Sequence, residues 1–409
     1  NLKTSSCLSY YNMFRGCKLL TRADVSKFLT SWGLASNSGV TINLSYMFYE
    51  CESLATIDVS GWTETARVSN MAYMFCRCKA VTKLDLSKWK ADNCKAMNSM
   101  FSGCENLTTL SINSNFNSAK VTTMTRMFYN CKSLTSIPVT SLNTQSVTTM
   151  SFMFYGCEKW AASFGEYSPW NWDTGEVTTM ESMFYNCKKI TSLNLSKWNT
   201  ANVTTMNSMF YGCEGIKETS SKDRYALLNV ENFNVSKVTN MVNMFAYCSG
   251  IKWLKLSKWK TSALTTMYRM FYECSNLKEI SISNFTLSAT TDVGYAFYNC
   301  SELTDIDMRM KSQWSPQASK ADYMFSGCNK ATIQMNNNVR VTTNNKNSSI
   351  GNKTVVITDC NSGTPKTNMV TTMKNLGRSG TKVSWYKEYV GYGTVLSAAK
   401  KTQIKVIED

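Results

Sequence analysis

Residues 187–213 read Cys-Lys-Lys-Ile-Thr-Ser-Leu-Asn-Leu-Ser-Lys-Trp-Asn-Thr-Ala-Asn-Val-Thr-Thr-Met-Asn-Ser-Met-Phe-Tyr-Gly-Cys. In the first half, Cys187, Ile190, Leu193 and Leu195 fit C-x-x-L-x-x-L-x-L, in which the L-x-L segment is a short strand. Alternation about Asn194 sends Leu193 and Leu195 to one face and the asparagine to the other. In the second half the apolar positions are Val203, Met206, Met209 and Phe210. Intervals of three and seven predict a short helical or 3₁₀ turn rather than a second strand. Between the halves, Ser-Lys-Trp-Asn-Thr around Trp198 reads as the turn across the end of a coil.

The same unit tiles most of the 409-residue chain. Met-Phe-x-x-Cys places cysteines at 17, 51, 78, 104, 131, 157, 187, 213, 248, 274, 300 and 328, and only the copy at Phe297 substitutes the methionine, with Ala296. Successive cysteines lie 34, 27, 26, 27, 26, 30, 26, 35, 26, 26 and 28 residues apart, with insertions at 18–43, 158–176 and 214–237. A fixed period of this length means stacked repeats. Nineteen of 24 methionines fall in the two methionine slots and 12 of 18 phenylalanines in the phenylalanine slot, so both residue types read as core. Cys94 stands where Val203 stands, and Cys7 holds the same place ahead of Met13, which marks both as core positions.

The expected fold class is an α/β repeat, a right-handed leucine-rich-repeat solenoid of about twelve coils over residues 1–331, with short parallel strands and short helical turns. Past Cys328 the pattern fades. Gln334 takes a leucine slot, residues 332–352 read as a linker or loop, rich in Asn, Ser and Thr over 336–352, and 353–409 as a C-terminal cap or small β-rich module.

Residues 7–331 carry a more specific likeness. C-x-x-L-x-x-L-x-L followed by V-T-x-M-x-x-M-F-x-x-C resembles the repeat of BspA-like bacterial surface proteins, with Val-Thr-Thr-Met recurring at Val121, Val147, Val177 and Val203. That resemblance implies a leucine-rich solenoid displayed extracellularly, at a cell or virion surface, and associated with adhesion.

Histidine is absent, which excludes Ser-His-Asp and Cys-His catalysis and His-ligated zinc. No Walker A, dinucleotide-binding glycine pattern or nucleophile elbow occurs. The expectation is therefore a non-enzymatic protein with no cofactor, no metal and no catalytic residue. Lys+Arg 44 against Asp+Glu 28 gives +16, which suits an anionic partner. No apolar run approaches the length of a membrane span, and no signal-peptide pattern opens the residues.

Four constellations remain to weigh. Cys51, Cys78, Cys104, Cys131, Cys157, Cys187, Cys213, Cys248, Cys274, Cys300 and Cys328 occupy one slot of the repeat, so they should stack as a ladder with parallel Cα–Cβ vectors. Disulfide geometry suits such neighbours badly, and buried free thiols are expected. Asp58 with Asp85, and Asp305 with Asp307, read as solvated carboxylates, since no loop supplies the remaining oxygens that calcium needs. Lysines beside the repeat, such as Lys79, Lys132 and Lys188, read as a solvated face, so no nucleic-acid partner is expected.

Aromatic rows are the fourth. Tyr follows the core Phe at 49, 129, 155, 185, 211, 272 and 298, and Trp62, Trp89, Trp198 and Trp259 recur at the strand-end turn. The tryptophans read as edge cover for the core; the tyrosines are as well suited to binding as to shielding. The insertion at 158–176 carries Trp160, Tyr167, Trp170 and Trp172, and clustered Trp in a loop on a regular scaffold is the expected partner site, with Tyr155 and Tyr185 as its floor. The function expected is adhesion to a protein or glycan on another surface. The alternative is a structural component of a wall, filament or phage particle that assembles through contacts between copies.

Overall fold

The computed structural model describes residues 9–29, 41–164, 170–217 and 228–308, shorter pieces between 310 and 335, and strands at 354–357, 382–385 and 402–407. The chain falls into two compact units, the first Asn1–Leu193 with Lys197–Asn202, the second Asn194–Ser196 with Val203–Asp409.

Within each unit the repeats stack as coils. Leu-x-Leu segments form short parallel strands in register: Leu84 aligns with Leu110 and Leu86 with Ile112 between Lys83–Leu86 and Thr109–Ile112. In the second unit Ile280, Ile306 and Ile333 align across Glu279–Ser281, Asp305–Met308 and Thr332–Met335. Alternation decides which side is buried. Leu84 and Leu86 are enclosed while Lys83 and Asp85 are exposed. Residues 332–335 are thus a strand and not the start of a linker. The register puts Ile333 and Met335 in the two leucine slots, with Gln334 between them. Thr354–Ile357 adds in parallel to this sheet, and Thr402–Ile407 and Lys382–Trp385 follow antiparallel.

The methionine-rich half of each coil corrects the expectation of a helical turn. Met124-Thr-Arg-Met127 and Phe128-Tyr-Asn-Cys131 are two β-turns in tandem, closed by hydrogen bonds from Met127 N–H to Met124 C=O (3.1 Å) and from Cys131 N–H to Phe128 C=O (3.1 Å). The third residue of each turn is left-handed, Arg126 at φ 55° and Asn130 at φ 55°. All twelve repeats have this pair of positive φ values, one and five residues before the cysteine. A right-handed helix cannot propagate through such residues. Alternate N–H groups turn to the next coil instead: Met124, Arg126, Phe128 and Asn130 donate to the carbonyls of Thr149, Ser151, Met153 and Tyr155 at 3.3, 3.0, 2.9 and 2.6 Å. The 3₁₀ turns that lie wholly within the described residues are Thr65–Arg67 and Val139–Ser141.

Each turn runs in-out-out-in. Met124, Met127, Phe128 and Cys131 are fully buried, while Thr125, Arg126, Tyr129 and Asn130 face outward. The phenylalanines stack along the coils, 5.3–5.8 Å apart from Phe14 to Phe184. From Phe210 to Phe325 the spacing is 5.1–5.6 Å. Full burial of each such ring stabilises by about 1.5–3 kcal/mol.

The cysteine row has a reason beyond size. Within each unit the ladder thiols donate to the phenylalanine carbonyl of the preceding coil: Cys104 to Phe75 (3.1 Å), Cys131 to Phe101 (3.1 Å), Cys274 to Phe245 (2.9 Å). A small apolar residue with one weak donor fits that slot. All fourteen described cysteines are free, and all but Cys17 are buried. Burial pushes their thiols up, Cys51 and Cys76 to about 11, Cys94 and Cys248 to about 12, and Cys104 and Cys131 well above the usual range.

Candidate functional site: the outward aromatic rows

The tryptophans of the 158–176 insertion are interior residues, which overturns the expectation of a projecting Trp loop. Trp160 is 2% exposed, Trp170 1% and Trp172 5%. Trp160 sits three residues after Cys157, in the slot that Leu134 and Ile190 fill in neighbouring coils, with its ring 4.6 Å from Phe154. Trp172 belongs to the strand-end row: it stacks on Trp198 at 6.1 Å and 6°. Trp170 fills the space between, edge-on to Trp172 (4.6 Å) and Trp198 (5.3 Å). The extra residues of the insertion hide this register in the sequence. Tyr167 and residues 218–227 of the other insertion lie outside the described residues.

Most of the strand-end tryptophans give their one polar atom an internal acceptor, whereas Trp89 Nε1 is buried without one. Trp62 Nε1 donates to Val25 C=O (2.7 Å), Trp172 to Val139 (3.0 Å) and Trp259 to Val230 (2.9 Å), each on the preceding coil.

Tyrosines occupy the outward positions of the tandem turns. Tyr155 and Tyr185, the expected floor of the Trp loop, are half-buried and stack at 4.3 Å and 9°, with Tyr129 next in line at 4.7 Å from Tyr155. A second column, five residues before the cysteine, also carries rings: Tyr46 on Tyr73 at 4.6 Å, and Tyr295 on Tyr323 at 4.9 Å. In the second unit Tyr272 lies 5.0 Å from Tyr298 and 5.4 Å from Tyr247, which is 40% exposed. Partial burial, then neighbouring phenols and Glu273, hold the Tyr247 and Tyr272 hydroxyls above the usual tyrosine range.

Three arginines are set into these rows. Arg15 lies 5.4 Å from the Tyr46 ring and 5.2 Å from Tyr49. Arg126 lies 4.6 Å from Phe152, and Arg269 lies 5.0 Å from Tyr268, 5.0 Å from Tyr272 and 5.2 Å from Tyr295. Among the described residues none of the three has a carboxylate partner.

The lysines just after the cysteines behave differently. The position alternates in sign along the first unit, Lys18, Glu52, Lys79, Glu105, Lys132, Glu158, Lys188. Adjacent coils pair Lys79 with Glu52 (2.8 Å), Lys132 with Glu105 (2.9 Å) and Lys188 with Glu158 (3.9 Å). These lysines are neutralised locally.

Asp58 accepts from Ser60 N–H (3.0 Å) and Ser60 Oγ–H (2.7 Å), and Asp85 accepts from Ser87 N–H (2.9 Å). No group of three metal-ligating side chains occurs among the described residues, and none of their helices is long and apolar enough to cross a membrane. The second tyrosine column and the three arginines were missed in reading the sequence. Aligning the residue five before each cysteine would have shown Tyr46, Tyr73, Arg126, Arg269, Tyr295 and Tyr323 as one column.

The geometry defines a class: a coil-repeat protein with a packed Met-Phe-Cys interior and an outward aromatic surface. A family profile described as "Mycoplasma protein of unknown function, DUF285" matches residues 42–167, 136–226 and 219–338, and the chain belongs to that family. No curated protein matches it. Among solved structures, a leucine-rich repeat protein from Bacteroides ovatus is similar at 17% identity over 80% of this chain and 82% of that one, with a TM-score of 0.31. A leucine-rich cell surface protein from Faecalibacterium prausnitzii is similar at 15% over 79% and 83%, TM-score 0.34. The functional domain of InlJ from Listeria monocytogenes, described as including a cysteine ladder, is similar at 13% over 91% and 83%, TM-score 0.18. The coil geometry above rests on this chain's own hydrogen bonds.

Proposed function

We propose that this chain is a non-enzymatic binding protein, displayed at a surface as the BspA-like resemblance implies, that adheres to a partner through its outward tyrosine rows. One observation carries the reading. Tyr46, Tyr73, Phe152, Tyr247, Tyr295 and Tyr323 adopt positive φ, where a bulky residue costs about 1 kcal/mol and Gly or Asn would not. Their rings remain partly exposed. An aromatic kept at a strained, solvent-facing position is better explained by a contact outside the chain than by packing.

The test is adhesion of the purified chain to cultured cells with an intact surface coat. Replacing Tyr268, Tyr272, Tyr295 and Tyr298 together by Ser should weaken adhesion by about tenfold or more. Adhesion equal to that of the unsubstituted chain would reject the tyrosine rows. Failure of the unsubstituted chain to adhere to any cell type would reject the adhesive reading.

A further inference from the structure

The tyrosine row around Arg269 combines three features found nowhere else in the described residues. The guanidinium lies within 5.2 Å of three phenol rings, those of Tyr268, Tyr272 and Tyr295. Its Nε is buried and has no hydrogen-bond partner. No carboxylate pairs with it, although Glu273 and Asp292 lie on the same and the next coil; Glu273 accepts from Asn299 (3.0 Å), and Asp292 pairs with Lys320 (3.4 Å). A guanidinium flanked by three rings, with its Nε buried and no anion beside it, is an incomplete ion pair.

The ring faces narrow the choice of anion. Tyr272 and Tyr298 cover each other at 7°, and Tyr295 and Tyr323 at 25°. Nucleic-acid bases bind by stacking on open ring faces, and these faces already stack on one another. The row instead turns ring edges and hydroxyls outward, beside a planar guanidinium that suits two oxygens of one anionic group. The rings repeat at 5.0 Å (Tyr272 to Tyr298) and 4.9 Å (Tyr295 to Tyr323). One pyranose advances an extended polysaccharide by a comparable distance, so successive sugars can meet successive coils.

Resting on the adhesive reading above, we propose that the Arg269 row binds a sulfated polysaccharide, with Arg269 holding a sulfate and the tyrosines of adjacent coils contacting the neighbouring sugars.

Immobilised heparin tests this with the full chain at physiological salt. The chain should be retained, retention should fall as salt rises, and Arg269→Gln should weaken binding by about tenfold, the loss of one charge-assisted contact. Arg269→Lys should recover only part of it, because the ammonium lacks the fork. An unchanged thermal midpoint in Arg269→Gln excludes misfolding as the cause; should it fall, desulfated heparin reads the same contact on the native chain and should lose binding likewise. Equal binding by the Gln variant with an intact fold, equal binding to desulfated heparin, or equal competition by an oligonucleotide or polyglutamate of the same charge would each overturn the proposal. So would heparin binding that vanishes only when the lysines of 336–409 are replaced. Cells stripped of sulfated glycans separate the two readings: adhesion that persists there, and still depends on the tyrosines, overturns the polysaccharide while sparing the adhesive function.

Discussion

Two aromatic rows follow the same period on opposite sides of the coil. Trp62 and Trp89 stack at 5.0 Å and 6° in the interior, and Tyr155 and Tyr185 stack at 4.3 Å and 9° on the outside. Both rows arise from one residue per repeat, and both look alike as a column of rings in the sequence. Polar handles and turn geometry set them apart. The Trp62 and Trp259 N–H groups find the preceding coil's carbonyl across the strand end, and Trp89, whose N–H has no partner, is held in by stacking on Trp62. Tyrosine falls on the third position of the first in-out-out-in turn and the second position of the next, where the backbone itself points the side chain out. Periodicity thus identifies a row but not its side. Indole rows hold the fold together, and phenol rows are available to a partner.

Raising the pH should break the interior first, with the largest effect. The ten buried thiols from Cys51 to Cys300 whose pKa is raised by desolvation include Cys51 and Cys76 near 11 and Cys94 and Cys248 near 12. In the unfolded chain a thiol ionises near 9. The unfolded state therefore releases protons first. Stability is complete below about pH 8.5 and declines through the window between the unfolded and folded values, at about 1.4 kcal/mol per thiol per pH unit. Ten thiols together exceed a typical total stability of about 5–15 kcal/mol before the folded values are reached. Cooperative unfolding near pH 9.5–10 is expected by tryptophan fluorescence with reductant present. Native far-ultraviolet and fluorescence signals at pH 11 would show that the thiol row is not sealed. At pH 8, among the described cysteines, alkylation should label Cys17 and spare the rest until denaturant is added.

Next in size is a direct exchange between the two rows. Trp170→Ala should cost about 3–5 kcal/mol, as a large ring removed from a packed interior does, and Trp172→Ala a similar amount. Tyr298→Ala, on the outer row, should cost under about 1 kcal/mol. Urea titrations of the three variants decide it. A thermal midpoint unchanged by Trp170→Ala would return that ring to the surface.

How far the sequence reveals this can be judged at particular residues. The leucine slots, the methionine and phenylalanine slots and the cysteine column are all legible, because each is occupied by one residue type at a constant offset. Trp160 was legible too, three residues after Cys157 in a leucine slot, but its neighbours in the insertion drew it into an apparent loop. Trp172 was not legible, since its offset from Cys157 differs from that of Trp62 or Trp198 by the length of the insertion. The tandem turns left a weaker trace: Gly or Asn precedes the cysteine in eight of twelve repeats, a preference for positive φ. Spacings of three and seven look helical because in-out-out-in turns share them. Arg269 carries no signal by itself, since its three rings come from its own and the next coil.

The turn backbone allows a finer test. Gly103 has φ 73°, and a Cβ there would meet Arg77 Cγ at 3.3 Å. Gly103→Ala should cost about 1–2 kcal/mol, and Gly103→Asn less, because asparagine tolerates the left-handed region. Equal stability of all three would mean that the left-handed residues carry no strain, and the argument for the tyrosines at such positions would lose its force.

The smallest expected effect concerns a third row, belonging neither to the interior nor to the aromatic surface. Lys132 pairs with Glu105 at 2.9 Å with both side chains substantially exposed, 44% and 39%. Such a pair contributes about 0–1 kcal/mol. Its alternation along Glu52, Lys79, Glu105, Lys132 and Glu158 nevertheless discriminates registers, since a coil displaced by one repeat would set like charges opposite each other. Lys132→Glu places three acidic residues in line and should cost under about 1 kcal/mol, with most of the loss recovered at high salt. Exchanging signs in Glu105→Lys with Lys132→Glu puts like charges against Glu158 and Lys79, so it should not restore the stability that a single isolated pair would regain. Heparin binding should rise in neither variant, because neither adds positive charge. A double exchange that fully restores stability would reduce the row to independent pairs and remove its role in setting register.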